Sequence, residues 1–116
     1  MNMNKITAIF DEFRLKDVED ALLKHKVTGF TLYPVSGRGH YFDTYNKSHL
    51  VKHIKMEIYA SADQSQGIAN LIVDTAYVNA QGEGLVCIDD VQELIWIHEK
   101  RSALETDFSF VSGETL

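Results

Sequence analysis

The chain has a single cysteine, Cys87, and a single proline, Pro34, among 116 residues. One thiol cannot close a disulfide within the chain, so a disulfide framework is excluded. Cys87 sits in the apolar run Leu85-Val86-Cys87-Ile88, where an inert buried thiol is expected. No apolar run approaches the roughly 20 residues a helix needs to cross a bilayer, so membrane insertion is not expected. The opening Met1-Asn2-Met3-Asn4-Lys5 lacks the apolar region of a secretory signal, and the expected location is cytoplasmic. Positive charge is scarce. Eleven Lys and Arg against 17 Asp and Glu leave a net charge of −6, which argues against a general nucleic-acid footprint. None of the five histidines falls in a recognisable ligand spacing. His49 and His53 are four apart, but that stretch passes from loop into strand, so no metal site is expected. No nucleophile–base pair or carboxylate dyad can be argued from spacing, so an enzyme is not expected either.

What is present suits one soluble domain: 45% hydrophobic and 24% charged residues, enough for a single core. Lys5 to Phe10 alternates and reads as a strand. Leu15, Val18, Ala21 and Leu22 recur at helical spacing and predict an amphipathic helix to about Lys26. Gly29 to Val35 reads as a second strand, with Pro34 placed at an edge or bulge because it cannot donate to a ladder. From Ser36 to Lys52 no apolar period survives, and a loop of that length is expected to be functional or disordered. His53 to Ala60 alternates as a third strand. Ser61 and Gln64 make a capping-box pattern ahead of a helix carrying Ile68, Leu71 and Ile72 to about Val78. Leu85–Ile88 reads as a fourth strand and Leu94–Ile97 as a short fifth. The expected division is a domain over residues 1–101 and a flexible tail over 102–116, in which Phe108, Phe110 and Val111 are the residues that could dock.

The order strand, helix, strand, strand, helix, strand is the α+β, ferredoxin-like βαββαβ arrangement. Helices would cover one face of an antiparallel sheet. Apolar residues on both strand faces, such as Leu32 beside Tyr33, predict that the other face is closed by association of subunits. Between the second helix and the fourth strand stands Asn79-Ala80-Gln81-Gly82-Glu83-Gly84. Its glycines leave main-chain N–H groups uncovered, as an anion site requires, although glycine also serves as an ordinary helix-to-strand connector. Glu83 reads as a solvated turn residue or as an acceptor for ribose hydroxyls. Trp96 reads as core, as subunit interface, or as a platform for a base. Arg38, between Gly37 and Gly39, could reach a phosphate or bicarbonate with both guanidinium edges.

Several of these residues together resemble the PII signalling superfamily, over about Lys5 to His98. They are Lys5-Ile6-Thr7-Ala8-Ile9, the helix from Phe13 to Leu22, Val27-Thr28-Gly29-Phe30-Thr31, Val35-Ser36-Gly37-Arg38-Gly39, Lys55-Met56-Glu57-Ile58 and the Gly82-Glu83-Gly84 turn. The resemblance implies a non-enzymatic homotrimer that binds adenine nucleotide in clefts between subunits. It implies adenine and ribose surroundings of Ile9, Gly37, Glu57, Ile58 and Tyr59, with Thr28, Gly29, Phe30 and Thr31 lining the same cleft. The phosphate side would be His40, Tyr41, Gly82, Glu83, Gly84, Leu85, Trp96 and His98, with Arg38 and Gly39 beside it. Here the chain departs from the family pattern. Leu85 stands where a lysine is usual, Trp96 and His98 where arginines are usual, and His53 and His40 where basic residues are usual. Each missing cation removes a charge-assisted hydrogen bond of about 1.5–3 kcal/mol, so ADP or AMP is expected in preference to ATP, with no obligatory cofactor. Lys100 and Arg101 are candidate substitutes. The shortened loop resembles the atypical branch of the superfamily, including its carboxysome-associated members. That implies bicarbonate as a second ligand and an unidentified protein partner, a transporter or a carbon-metabolism protein, engaged through the long loop. The alternative reading is a metal-responsive regulator of the same fold, linked to an efflux pump or other membrane transporter.

Overall fold

In the computed structural model the alternating stretches become one antiparallel sheet. The structure describes residues 2–39, 51–79 and 84–111. Strands β1 (Met3–Phe10), β2 (Thr31–Gly37), β3 (Val51–Ser61) and β4 (Gly84–Val91) lie in the order β2-β3-β1-β4. Helix α1 (Leu15–Lys24) joins β1 to β2, and α2 (Ala62–Ala76) joins β3 to β4. This is the ferredoxin-like order expected from the sequence. Pro34 lies in β2, an edge strand of the sheet, where its missing donor costs least. Gly37 pairs with Val51, so the two ends of the intervening segment stand side by side.

Strand alternation sorts the sheet into two faces. Ile6, Ala8 and Phe10 of β1 pair with Ile58, Met56 and Ile54 of β3. With Val18 and Leu22 of α1 and Ile68 and Ile72 of α2 they form the core. The intervening residues Lys5, Thr7, Lys55, Glu57 and Tyr33 lie on the opposite face. That face is polar at its centre, contrary to the expectation of an apolar one. Glu57 lies 3.7 Å from Lys5 Nζ and 3.6 Å from Lys55 Nζ. The Tyr33 hydroxyl donates to it at 2.8 Å.

Three local expectations are corrected, and a fourth, the short fifth strand, is met. The box of Ser61 and Gln64 does not form: Ser61 is the N-cap residue but makes no side-chain capping bond, and its Oγ and Gln64 Oε1 are buried without partners. The Ala62 N–H instead donates to the Asn2 carbonyl at 2.7 Å. The short fifth strand, β5 (Ile95–Trp96), stands outside the main sheet and pairs with β6 (Arg101–Ser102). Cys87 is exposed, because β4 is the other edge strand and this position faces away from the helices. Its thiol is nonetheless pushed up, first by desolvation and then by Asp89, which keeps it protonated and unreactive. Finally, the segment expected as a flexible tail lies against the domain over 102–111; residues 112–116 fall outside the described residues. Ala103 is buried. Ser109 Oγ donates to the Lys26 carbonyl at 2.9 Å, and the Val111 N–H to the His25 carbonyl at 2.8 Å. Phe110 stacks on His25 with ring centres 5.8 Å apart, and its ring edge would be 2.7 Å from a Cβ at Gly67. The mid-helix glycine is what lets the ring sit so close.

Candidate functional site

The end of α1 creates one wall of a cleft. The Val27 N–H reaches the Leu22 carbonyl at 2.9 Å and the Lys26 N–H the Leu23 carbonyl at 3.0 Å, the double closure of a Schellman motif. Lys26 takes the left-handed conformation, φ 72°, and Val27 and Leu22 are both buried beneath it. The chain therefore leaves α1, which ends at Lys24, two residues sooner than its apolar spacing predicts. Residues 26–30 then run as an irregular wall before β2 begins at Thr31. Because Thr31 pairs with Glu57, Ile58–Ser61 of β3 extend beyond the start of β2. A cleft of about 290 Å³ lies along that stretch, bounded by Lys26–Thr31, by Glu57, Tyr59 and Ala60, and by Ile68 of α2. A Cβ on Gly29 would meet nothing within 4 Å, so this glycine leaves bare backbone facing open space.

The other wall comes from the C-terminal segment: Trp96, Asp107, Phe108 and Ser109 line the same cleft. Asp107 organises it. Its Oδ2 accepts from Trp96 Nε1 at 2.9 Å, from the Leu104 N–H at 2.8 Å and from Arg101 Nη1 at 3.0 Å, and its Oδ1 from Arg101 Nη2 at 3.1 Å. The guanidinium, the Leu104 amide and the indole N–H hold the Asp107 carboxyl far below the usual carboxylate range. Trp96 and Phe108 rings stand 6.0 Å apart at 37°. Arg101 also contacts Glu99 Oε1 at 3.2 Å. The guanidinium of Arg101, a candidate substitute cation, is thus engaged by two carboxylates. Among the described residues that line it, Lys26 is the one cation, against Glu57 and Asp107.

The structure brings Thr28, Gly29, Phe30, Thr31, Glu57, Tyr59 and Trp96 together in this cleft. Ile9, Gly84 and Leu85 line a second pocket, of about 110 Å³, with Val73 and Tyr77 at the far end of α2. Among the described residues the two pockets share none. Ile58 is a correction: it is 1% exposed in the core, because β3 alternation turns it towards the helices. Gly84 also has a structural role. At φ 116° its Cβ would fall 1.7 Å from the Ile9 carbonyl oxygen. His98 is exposed in the β5–β6 turn and does not line the cleft. Arg38 and Gly39 are exposed just beyond β2. His53 is buried, its Nδ1 donating to the Lys52 carbonyl at 2.7 Å, and lines neither pocket. His40, Tyr41, His49, Gly82 and Glu83 lie outside the described residues. No metal-type cluster of three or more His, Cys, Asp or Glu occurs among the described residues. Sequence reasoning missed Lys26, Val27, Ala60, Ile68, Asp107 and Ser109 as lining residues. The paired aromatics Phe108 and Phe110 in a polar tail were the available signal for the second wall.

The carboxylate of Glu57 is held below its ordinary value, first by the Tyr33 hydroxyl and then, against some desolvation, by Lys5 and Lys55. It stays ionised at the cleft edge as a fixed acceptor. The Tyr33 hydroxyl is correspondingly pushed up by donating to it.

Comparison with known proteins agrees with this architecture. A family model described as "Nitrogen regulatory protein P-II" matches residues 3–101. The chain is 34% identical to the nitrogen regulatory protein P-II of Porphyra purpurea over 102 residues, 82% of this chain and 91% of the relative. It is 31% identical to nitrogen regulatory protein P-II 1 of Escherichia coli (strain K12) over the same shares. The crystal structure of Arabidopsis thaliana PII bound to citrate superposes with a TM-score of 0.75 at 25% identity, covering 88% of this chain and 89% of that one. The chain belongs to the P-II family of regulatory, non-enzymatic signalling proteins.

Proposed function

We propose that this protein is a homotrimeric signalling protein that binds a short adenine nucleotide, ADP or AMP rather than ATP, in clefts between neighbouring subunits. Bicarbonate is its second effector. Occupancy is passed to a protein partner of inorganic carbon metabolism, a transporter or a carbon-metabolism protein, through the segment 38–52. The observation that carries the reading is the split site. Of the residues the family resemblance assigns to one ligand, Thr28–Thr31, Glu57, Tyr59 and Trp96 line one pocket and Ile9, Gly84 and Leu85 another, with no lining residue in common among the described residues. One ligand meets both sets when two copies each supply one. The larger pocket, about 290 Å³, lies at the bottom of the roughly 300–1,000 Å³ range of ligand sites, as suits a half-site. Its acidic balance, Glu57 and Asp107 against Lys26, favours fewer phosphates. The citrate bound by the Arabidopsis relative supports a small-molecule effector role.

Light scattering coupled to gel filtration, followed by calorimetry with AMP, ADP and ATP with and without bicarbonate, tests this. A particle three times the 13.2 kDa chain mass, with one saturable adenylate site per chain and ATP weakest, is expected. A monomer, or a trimer indifferent to all three adenylates, would remove the reading.

A further inference from the structure

The most distinctive cluster outside the fold's core is the clamp between Arg101 and Asp107. It sits at the one point where the C-terminal segment enters the cleft wall. Arg101 is the register partner of the wall residue Trp96, which stands on the side assigned to phosphate, yet both of its guanidinium edges are taken. Asp107 accepts from Nη1 and Nη2, Glu99 contacts Nη2 and Nε, and the Ser102 carbonyl accepts from Nη1. One positive and two negative charges leave the cluster at −1. Asp107 is also the member that lines the cleft, its side chain 20% exposed. It is held there by the segment's seat further along, where Phe110 lies over Gly67 and Ser109 bonds to Lys26.

We propose that Asp107 is a specificity-determining residue of the cleft: it neutralises Arg101 and presents a carboxylate to the phosphate side, so the site discriminates against ligands with longer phosphate chains. The proposal rests on the adenylate reading above and deepens it. A carboxylate near a polyanion is repulsive, and the penalty grows with the number of phosphates. Losing Arg101 as a donor removes a bidentate partner for a terminal phosphate. The two partners of this ion pair therefore have opposite effects on polyphosphate affinity. A purely structural clamp would give both substitutions the same sign, since either one breaks it.

The test compares the wild-type full-length chain with Asp107→Asn, Arg101→Gln and the double variant. Calorimetry at low salt measures AMP, ATP and inorganic tripolyphosphate. Trp96 emission and amide exchange at Leu104 report whether the segment stays seated. Asp107→Asn is expected to tighten ATP and tripolyphosphate by roughly tenfold, the size of one charge-assisted hydrogen bond, with AMP changed by less than about twofold. Arg101→Gln is expected to weaken both polyphosphates severalfold, the double variant to return near wild type, and added salt to shrink every difference. Polyphosphate affinities that move the same way in both single variants, or do not move, would overturn the proposal, including where the segment has come loose. If no adenylate binds but tripolyphosphate follows the charge order, the adenylate reading fails and this one stands. If adenylates bind with the same preference in all four proteins, the reverse holds.

Discussion

The two faces of the sheet are built from alternate residues of the same strands, yet they are held together differently. Towards the helices, Ile6, Ala8, Phe10, Met56 and Ile58 are at most 2% exposed, and their contribution is burial of apolar area. Away from the helices, Lys5, Lys55 and Tyr33 converge on Glu57, where attraction is set against desolvation and screening. The first face stabilises the subunit. The second adds little to it and instead presents a fixed pattern of donors and charges. The cleft begins where this polar face runs past the start of β2.

That contrast can be broken most directly in the core. Ile58→Ala should cost about 3–4 kcal/mol, read by urea unfolding at fixed protomer concentration. A cost below about 1 kcal/mol would mean that Ile58 does face a ligand. Gly84→Ala should cost on the order of 3 kcal/mol, because a strained φ and a clash with the Ile9 carbonyl act together. Thermal unfolding with stability unchanged would show that the turn, not β4, sets this glycine. On the polar face Glu57→Gln should cost under about 1 kcal/mol at neutral pH. Its signature is pH dependence. The folded carboxyl lies below its unfolded value near 4.5, so its contribution is complete above about that pH and is lost as pH falls through the lowered value. The gap between wild type and variant should close on acidification, and a gap constant from pH 7 to 3 would contradict the network. The smallest effect on stability is Gly29→Ala, within about 0.5 kcal/mol, since a Cβ there meets nothing. Adenylate affinity should nonetheless fall, which calorimetry with ADP measures.

The sequence made the core legible because strand and helix periods place Ile6, Phe10, Val18, Leu22 and Ile72 without ambiguity. It made half of the cleft legible through Thr28–Thr31, Glu57 and Tyr59. Cys87 was misread because an unbroken apolar run carries no alternation to tell an edge strand from a buried one. Asp107 was invisible for a different reason. Its role depends on Arg101 and on the seating of Phe110 over Gly67, a contact between distant parts of the chain that no local pattern encodes. The polar centre of the open face was hidden because Glu57 read as a ligand contact, and only the register brings Lys5, Lys55 and Tyr33 onto it.

Lys26 closes the Schellman turn with a left-handed backbone that glycine adopts freely and that costs a side-chain-bearing residue about 1–2 kcal/mol. Lys26 is also the one cationic residue among the described residues that line the cleft. At this corner, resistance to heat is exchanged for charge: Lys26→Gly would make a hardier protein with a blunter sense of its ligand.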